Sequence, residues 1–126
     1  MIDLPCPSCG FLTLEKFYGS YAICPLCDWE DDGVQLANPT SGGGANAESL
    51  AQSQEKAISI LPLGVEVANG FRRGSNWRPL SSDEIEHFDA LRSSKHWHTK
   101  AVSQESEAYW LSPDNSFKPK PLRGSA

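Results

Sequence analysis

Residues 6–32 read CPSCGFLTLEKFYGSYAICPLCDWEDD, and all four cysteines of the chain lie in that stretch, at Cys6, Cys9, Cys24 and Cys27. Two residues separate the members of each pair, one of them proline. That spacing lets a tight turn aim both sulfurs at one point. Fourteen residues lie between Cys9 and Cys24, enough for a hairpin that brings the two turns together. The pattern predicts four thiolates around one structural metal ion, with zinc fitting this tetrahedral sulfur set best. Gly10 permits the positive φ that turns backbone N–H groups toward the sulfurs. Asp28 takes the same place after the second pair and tolerates that conformation better than most residues. With every position filled by cysteine, no site is left for water or substrate, so the centre reads as structural rather than catalytic.

Three other readings of the cysteines compete. A single Cys-Pro-x-Cys pair can run thiol–disulfide chemistry, but redox motifs open a helix after a strand and do not come as two matched pairs. Iron in a rubredoxin-like site uses the same ligands, though the spacer here is shorter than that site has. Four unligated thiols would leave the chain without a cross-link. It needs one: Leu, Ile, Val and Phe number 26 of 126 residues, near the lower margin for a self-sufficient core. Ten Gly and nine Pro raise the ordering cost. A structural zinc contributes about 10–16 kcal/mol in small peptides, as much as the net stability of about 5–15 kcal/mol of a whole domain.

Working outward, Phe11–Phe17 is rich in aromatic and apolar side chains, Tyr18-Gly19-Ser20 reads as a turn, and Tyr21-Ala22-Ile23 as the returning strand of a hairpin. Residues 38–46 are a loop by composition. A helix is expected near 47–60, capped by Asn46, with Leu50, Ala57, Ile58 and Leu61 on one face and Pro62 as its stop. Gly64 to Val67 suggests a short strand. Ser81 and Glu84 have capping-box spacing, with Leu80 and Ile85 placed as a hydrophobic staple. They predict a helix over 82–93 that buries Ile85, Phe88 and Leu91. Residues 101–111 read as a short helix or strand, and the proline-bearing tail from Ser112 as disordered.

Charge divides the chain. Residues 1–56 hold eight acids against two bases, a net of −6, and residues 57–126 eight acids against nine bases, a net of +1. Four thiolates on a divalent ion would make the first half more acidic by two. Such a surface repels nucleic acid and suits a basic protein partner. No run approaches the roughly 20 apolar residues that span a bilayer, and residues 1–5 have neither the basic region nor the apolar run of a signal peptide. The expectation is a cytoplasmic protein with reduced thiols.

The run from Cys6 through Gln54, with its first cysteine knuckle and Gly10, the Cys24-Pro25-Leu26-Cys27-Asp28-Trp29-Glu30-Asp31-Asp32 segment, and Gly43-Gly44-Ala45-Asn46 followed by Ser49-Leu50, resembles the bacterial cysteine-rich CPCC family over residues 4–56. Ser8 stands where the Cys-Pro-Cys-Cys of the family name has a cysteine. The resemblance implies a fold segment more than an activity, with members that look like neighbours or antagonists of secreted toxins.

Other candidates carry weaker signals. Trp29, Glu30, Asp31 and Asp32 offer an acidic docking surface, a second cation site or a solvated turn. Gly42–Asn46 lacks the Lys and Ser/Thr of a phosphate loop. His96 and His98 would share a face if extended, with no third ligand nearby, and His87 reads as a helix-boundary residue. Arg72, Arg73 and Arg78 around Phe71 and Trp77 are the best nucleic-acid candidate. No recognisable catalytic constellation stands out.

The expectation is thus an α+β protein. A zinc-ribbon-like hairpin segment over 1–36 packs with two or three helices in one domain, 1–111, whose CPCC-like part is 1–56 and helical remainder 57–111. Its expected function is that of a non-enzymatic interaction module, an acidic inhibitor or immunity-type protein. The alternatives are a nucleic-acid-binding zinc ribbon, and an enzyme or thiol redox protein.

Overall fold

In a computed structural model, residues 2–112 are described; Met1 and the tail beyond Ser112 lie outside them. Two small antiparallel hairpins and three helices make an α+β architecture. Strands β1 (Ile2–Pro5) and β2 (Leu12–Glu15) pair antiparallel around the first cysteine turn. Helix α1 (Gly33–Ala37) and helix α2 (Leu50–Ile60) follow. A two-residue hairpin joins β3 (Val67–Ala68) to β4 (Phe71–Arg72), and helix α3 spans Ser82–Ser94. Two 3-10 turns, Glu105–Glu107 and Tyr109–Leu111, end the described chain.

The hairpin expected between Phe11–Phe17 and Tyr21–Ile23 does not form. Each cysteine turn instead caps a hairpin of its own: β1 pairs with β2 about the first, and Tyr21–Cys24 bonds back to Trp29–Asp31 about the second. The reason is local. A Cys-x-x-Cys turn already reverses the chain, so the residues on either side of it are the ones placed to pair. Beyond β2, positive φ at Lys16 (60°), Gly19 (89°) and Tyr21 (62°) breaks the extended run before the second turn. The strand expected at Gly64–Val67 is likewise displaced, to Val67–Ala68.

Both long helices start on capping boxes. In α3 it is the expected one, with Ser81 accepting from the Glu84 N–H and Glu84 accepting from the Ser81 N–H. In α2 the cap is Ser49, with Gln52 closing the box, and not Asn46. Ser49 wins because Asn46 is committed elsewhere, to the Glu30 backbone and the Gln35 side chain. Leu50 and Ala57 are buried on α2. On α3 the buried residue is Glu84, Ile85 and Phe88 are half-buried, and Leu91 is exposed rather than buried.

One core joins the two halves of the chain. Phe11, Leu14, Tyr18 and Trp29 from the cysteine segment pack with Leu50, Ala57, Trp77, Leu80, Tyr109 and Trp110. Residues 57–111 are therefore not a purely helical remainder: they include the β3–β4 hairpin, and Trp77 with Tyr109 and Trp110 of the second 3-10 turn joins the core of the cysteine segment. Gly10 shows how tight this is. It has φ +82°, and a Cβ there would come within 2.2 Å of the Trp77 ring. Among the described residues no helix is long and apolar enough to cross a membrane.

Candidate metal centre

Two short turns deliver the four sulfurs. In the first, Gly10 N–H bonds the Cys6 carbonyl; in the second, Asp28 N–H bonds the Cys24 carbonyl, with Asp28 at φ +67° as its position requires. The Sγ atoms of Cys6, Cys9, Cys24 and Cys27 all lie within 4.8 Å of one another, with Cys6–Cys27 at 3.6 Å and Cys9–Cys24 at 3.8 Å. Four sulfurs at about 2.3 Å from a tetrahedral ion sit about 3.8 Å apart. Bonded disulfide sulfurs sit at about 2.05 Å, and all four cysteines are free. The donor set and its dimensions fit one metal ion.

Crowding couples the protonation of the four sulfurs. Cys24 is held far below the usual thiol range by hydrogen bonds from Cys27, Cys6 and Cys9, with Thr13 adding to them. Burial pushes Cys6 well up, and the contact with Cys24 pushes Cys9 up. Without a cation the sulfurs must share protons, because four adjacent thiolates repel. A divalent ion lets all four deprotonate, and it exchanges for the released protons. Thr13 Oγ1 at 3.3 Å and Leu26 N–H at 3.4 Å also donate to Cys24 Sγ, the outer hydrogen bonds that orient a ligand.

The surrounding scaffold is built largely from polar side chains. Ser8, fully buried, shares a 2.6 Å hydrogen bond with Ser53 of α2. The position that differs from the Cys-Pro-Cys-Cys pattern thus ties the first turn to that helix and is not needed as a ligand. Gln54 donates to the Pro7 carbonyl and accepts from the Leu80 N–H, and Trp77 Nε1 also reaches the Pro7 carbonyl. Arg73 lies over the Phe11 ring, 4.4 Å from its centroid, and donates to the carbonyls of Cys9, Leu61, Pro62 and Val65.

The acidic run takes a different place from a docking face. Trp29, Asp31 and Asp32 are buried, and Glu30 is half-buried. Asp31 Oδ2 accepts from the Ser20 N–H and hydroxyl. Asp32 caps α1 through the Val34 and Gln35 N–H groups, and its other oxygen accepts from Ala45 N–H. A buried carboxylate spends its charge on backbone donors, so three of the four residues have no surface to offer.

The arginine cluster disperses too. Arg73 is occupied by carbonyls, while Arg78 forms a two-pronged pair with the fully buried Glu84 and donates to the carbonyls of Tyr109 and Ser112. Arg72 is exposed. His96 bonds the Gly42 carbonyl, and His98 stacks on Phe88 with ring centroids 5.9 Å apart; His87 meets the same Phe88 edge-on. Gly42–Asn46 is a turn folded over Asp32 and Gln35, against which a Gly44 Cβ would clash at 2.6 Å.

Of three residues that organise this region, Gln35 and Asn38 carry no pattern in the sequence, and Asn46 signals only a helix cap. Gln35 donates to the carbonyls of Ser41, Asn46 and Glu48 and accepts from Asn46. Asn46 clamps the Glu30 backbone from both sides. Asn38 reaches across 61 residues to Thr99. Polar side chains have no apolar periodicity, so nothing local marks these bonds. The helix α1, five residues long, also escaped; only the Asp32 cap could have signalled it.

Residues 4–64 match the family described as "Cysteine-rich CPCC". The match runs past the expected boundary at residue 56, through the whole of α2 and the Pro62 stop. A search of curated proteins found no significant match.

Proposed function

Because residues 4–64 belong to the cysteine-rich CPCC family, and that segment carries the clustered sulfurs, we propose that the protein is a zinc-binding, non-enzymatic interaction module. The single observation that carries this is the convergence of four sulfurs within 4.8 Å. Four thiolates saturate a tetrahedral ion, which leaves no open position for a water or substrate. Zinc is preferred to iron because the site needs only a closed-shell, redox-inert cross-link between two turns.

The partner is a basic protein, bound in the manner of an inhibitor or immunity protein. Supporting this, Asp3, Glu15, Asp28 and Glu55 are exposed in the acidic first half, and opposite charge steers association. With the acidic run buried, the contact shifts to the outer side of the second cysteine hairpin. Tyr21 and Ile23 stand 59% and 60% exposed there, beside the exposed Asp28. Large exposed apolar side chains rimmed by charge favour a protein contact. Nucleic acid is disfavoured, since two of the three clustered arginines are engaged internally.

Elemental analysis of the purified protein tests the first half, with one zinc per chain expected; iron in its place, or no metal in folded protein, would refute it. The second half is tested by calorimetry against the product of the neighbouring gene. Binding that weakens with salt and is lost in Ile23→Asp supports the reading. Tight oligonucleotide binding at physiological salt would overturn it.

A further inference from the structure

The four ligands are not equally protected. Cys6, Cys9 and Cys24 are fully buried, whereas Cys27 is only partly buried. Cys27 lines a groove of about 190 Å³ together with Leu26, Asp28, Lys56, Ala57 and Ile60. Ile60 at its rim is 77% exposed. The sulfurs differ in hydrogen bonding as well. Cys24 Sγ receives the Thr13 hydroxyl and the Leu26 N–H, while Cys27 Sγ, among the described residues, has hydrogen-bonding geometry only with a cluster sulfur. A donor to a thiolate withdraws electron density and blunts its attack, so a sulfur without one is the better nucleophile. Cys6 and Cys9 Sγ likewise meet only cluster sulfurs, so hydrogen bonding disfavours Cys24 alone, and access singles out Cys27 among the rest.

We propose that Cys27 is a modification site, the ligand through which peroxides and soft electrophiles enter the cluster, and that its oxidation closes a disulfide to Cys6. This rests on the zinc-site reading for the thiolate state of the sulfurs. The Cys27 thiolate attacks one oxygen of hydrogen peroxide; the O–O bond breaks and hydroxide leaves with the electron pair, giving a sulfenic acid. Cys6 Sγ, only 3.6 Å away, then attacks the Cys27 sulfur. The S–O bond breaks, the S–S bond forms, and a second hydroxide leaves. Two thiolates lose two electrons in all, and one peroxide becomes two hydroxides. Cys6 needs no exposure for its part, because the second step is internal. The pair spans both cysteine turns, so its closure removes one ligand from each and leaves Cys9 and Cys24 alone, too few to hold the ion.

The test uses the full-length protein with its metal content measured first. Substoichiometric N-ethylmaleimide should label Cys27 at least about tenfold faster than any other cysteine, as its access dictates. Hydrogen peroxide should give a Cys6–Cys27 linked peptide by mass spectrometry, with one equivalent of zinc appearing on a chromogenic chelator. Even labelling of the four cysteines, or a Cys9–Cys24 link as the first product, would overturn the proposal. Ile60→Trp, which roofs the groove, should slow Cys27 labelling severalfold at unchanged zinc content; unchanged labelling would count against it. Absence of zinc from folded protein would refute the metal reading alone, since the labelling order of that protein still tests access through the groove.

Discussion

Replacing Gly10 by alanine is the sharpest probe of how the metal turn is coupled to the rest of the core. Two penalties add there. Gly10 has φ +82°, and a side chain in the left-handed region costs about 1–2 kcal/mol, less the few tenths gained from a stiffer unfolded chain. In addition, the new Cβ would sit 2.2, 2.4 and 2.8 Å from three Trp77 ring carbons. Trp77 is 7% exposed and is tied to the Pro7 carbonyl, so it cannot swing clear, and overpacking of this kind costs about 1–3 kcal/mol. The sum is about 2–5 kcal/mol. Gly43→Ala is the control, because Gly43 has φ +85° but nothing within 4 Å of its added Cβ, and should lose only the backbone part, about 1 kcal/mol. Urea titration of both zinc-loaded variants, followed by tryptophan fluorescence, gives the difference. If Gly10→Ala were no more destabilising than Gly43→Ala, the packing of Trp77 on the cysteine turn would be wrong.

Other perturbations follow from the same geometry. Removing the metal with a chelator should unfold at least residues 2–37 together with the Trp29 and Trp77 packing, seen as a red shift of tryptophan emission that zinc reverses. Because metal binding displaces the protons that the four sulfurs otherwise share, acid should restore those protons and release the metal, as a pH titration with a zinc indicator would show. Arg78→Met strands the fully buried Glu84 carboxylate and should cost about 3–5 kcal/mol in denaturant, with Arg78→Met/Glu84→Gln, which removes the charge and keeps the capping box, recovering most of it. His98 is shifted below 6.5 by desolvation and by His87 and His96. Its ring should titrate below that value by NMR, and the stability it contributes declines as pH falls below 6.5, since the unfolded chain takes up the proton first.

The sequence by itself determined which four cysteines converge, the α3 capping box, the α2 stop at Pro62 and the tolerance of Asp28 for positive φ. Each is a local matter: two residues between cysteines, three between Ser81 and Glu84, or one residue's allowed backbone angles. Tertiary structure alone decided which strands pair, since a cysteine turn that reverses the chain makes its own flanks the nearest partners. It also decided that Asp31 and Asp32 turn inward to backbone donors, that Arg73 and Arg78 hold carbonyls and Glu84, and that Asn46 yields the α2 cap to Ser49. Charge and polarity name what a side chain can bond. Only the folded chain, by bringing residues as far apart as Asn38 and Thr99 together, settles which partner it meets and whether any charge is left for the surface.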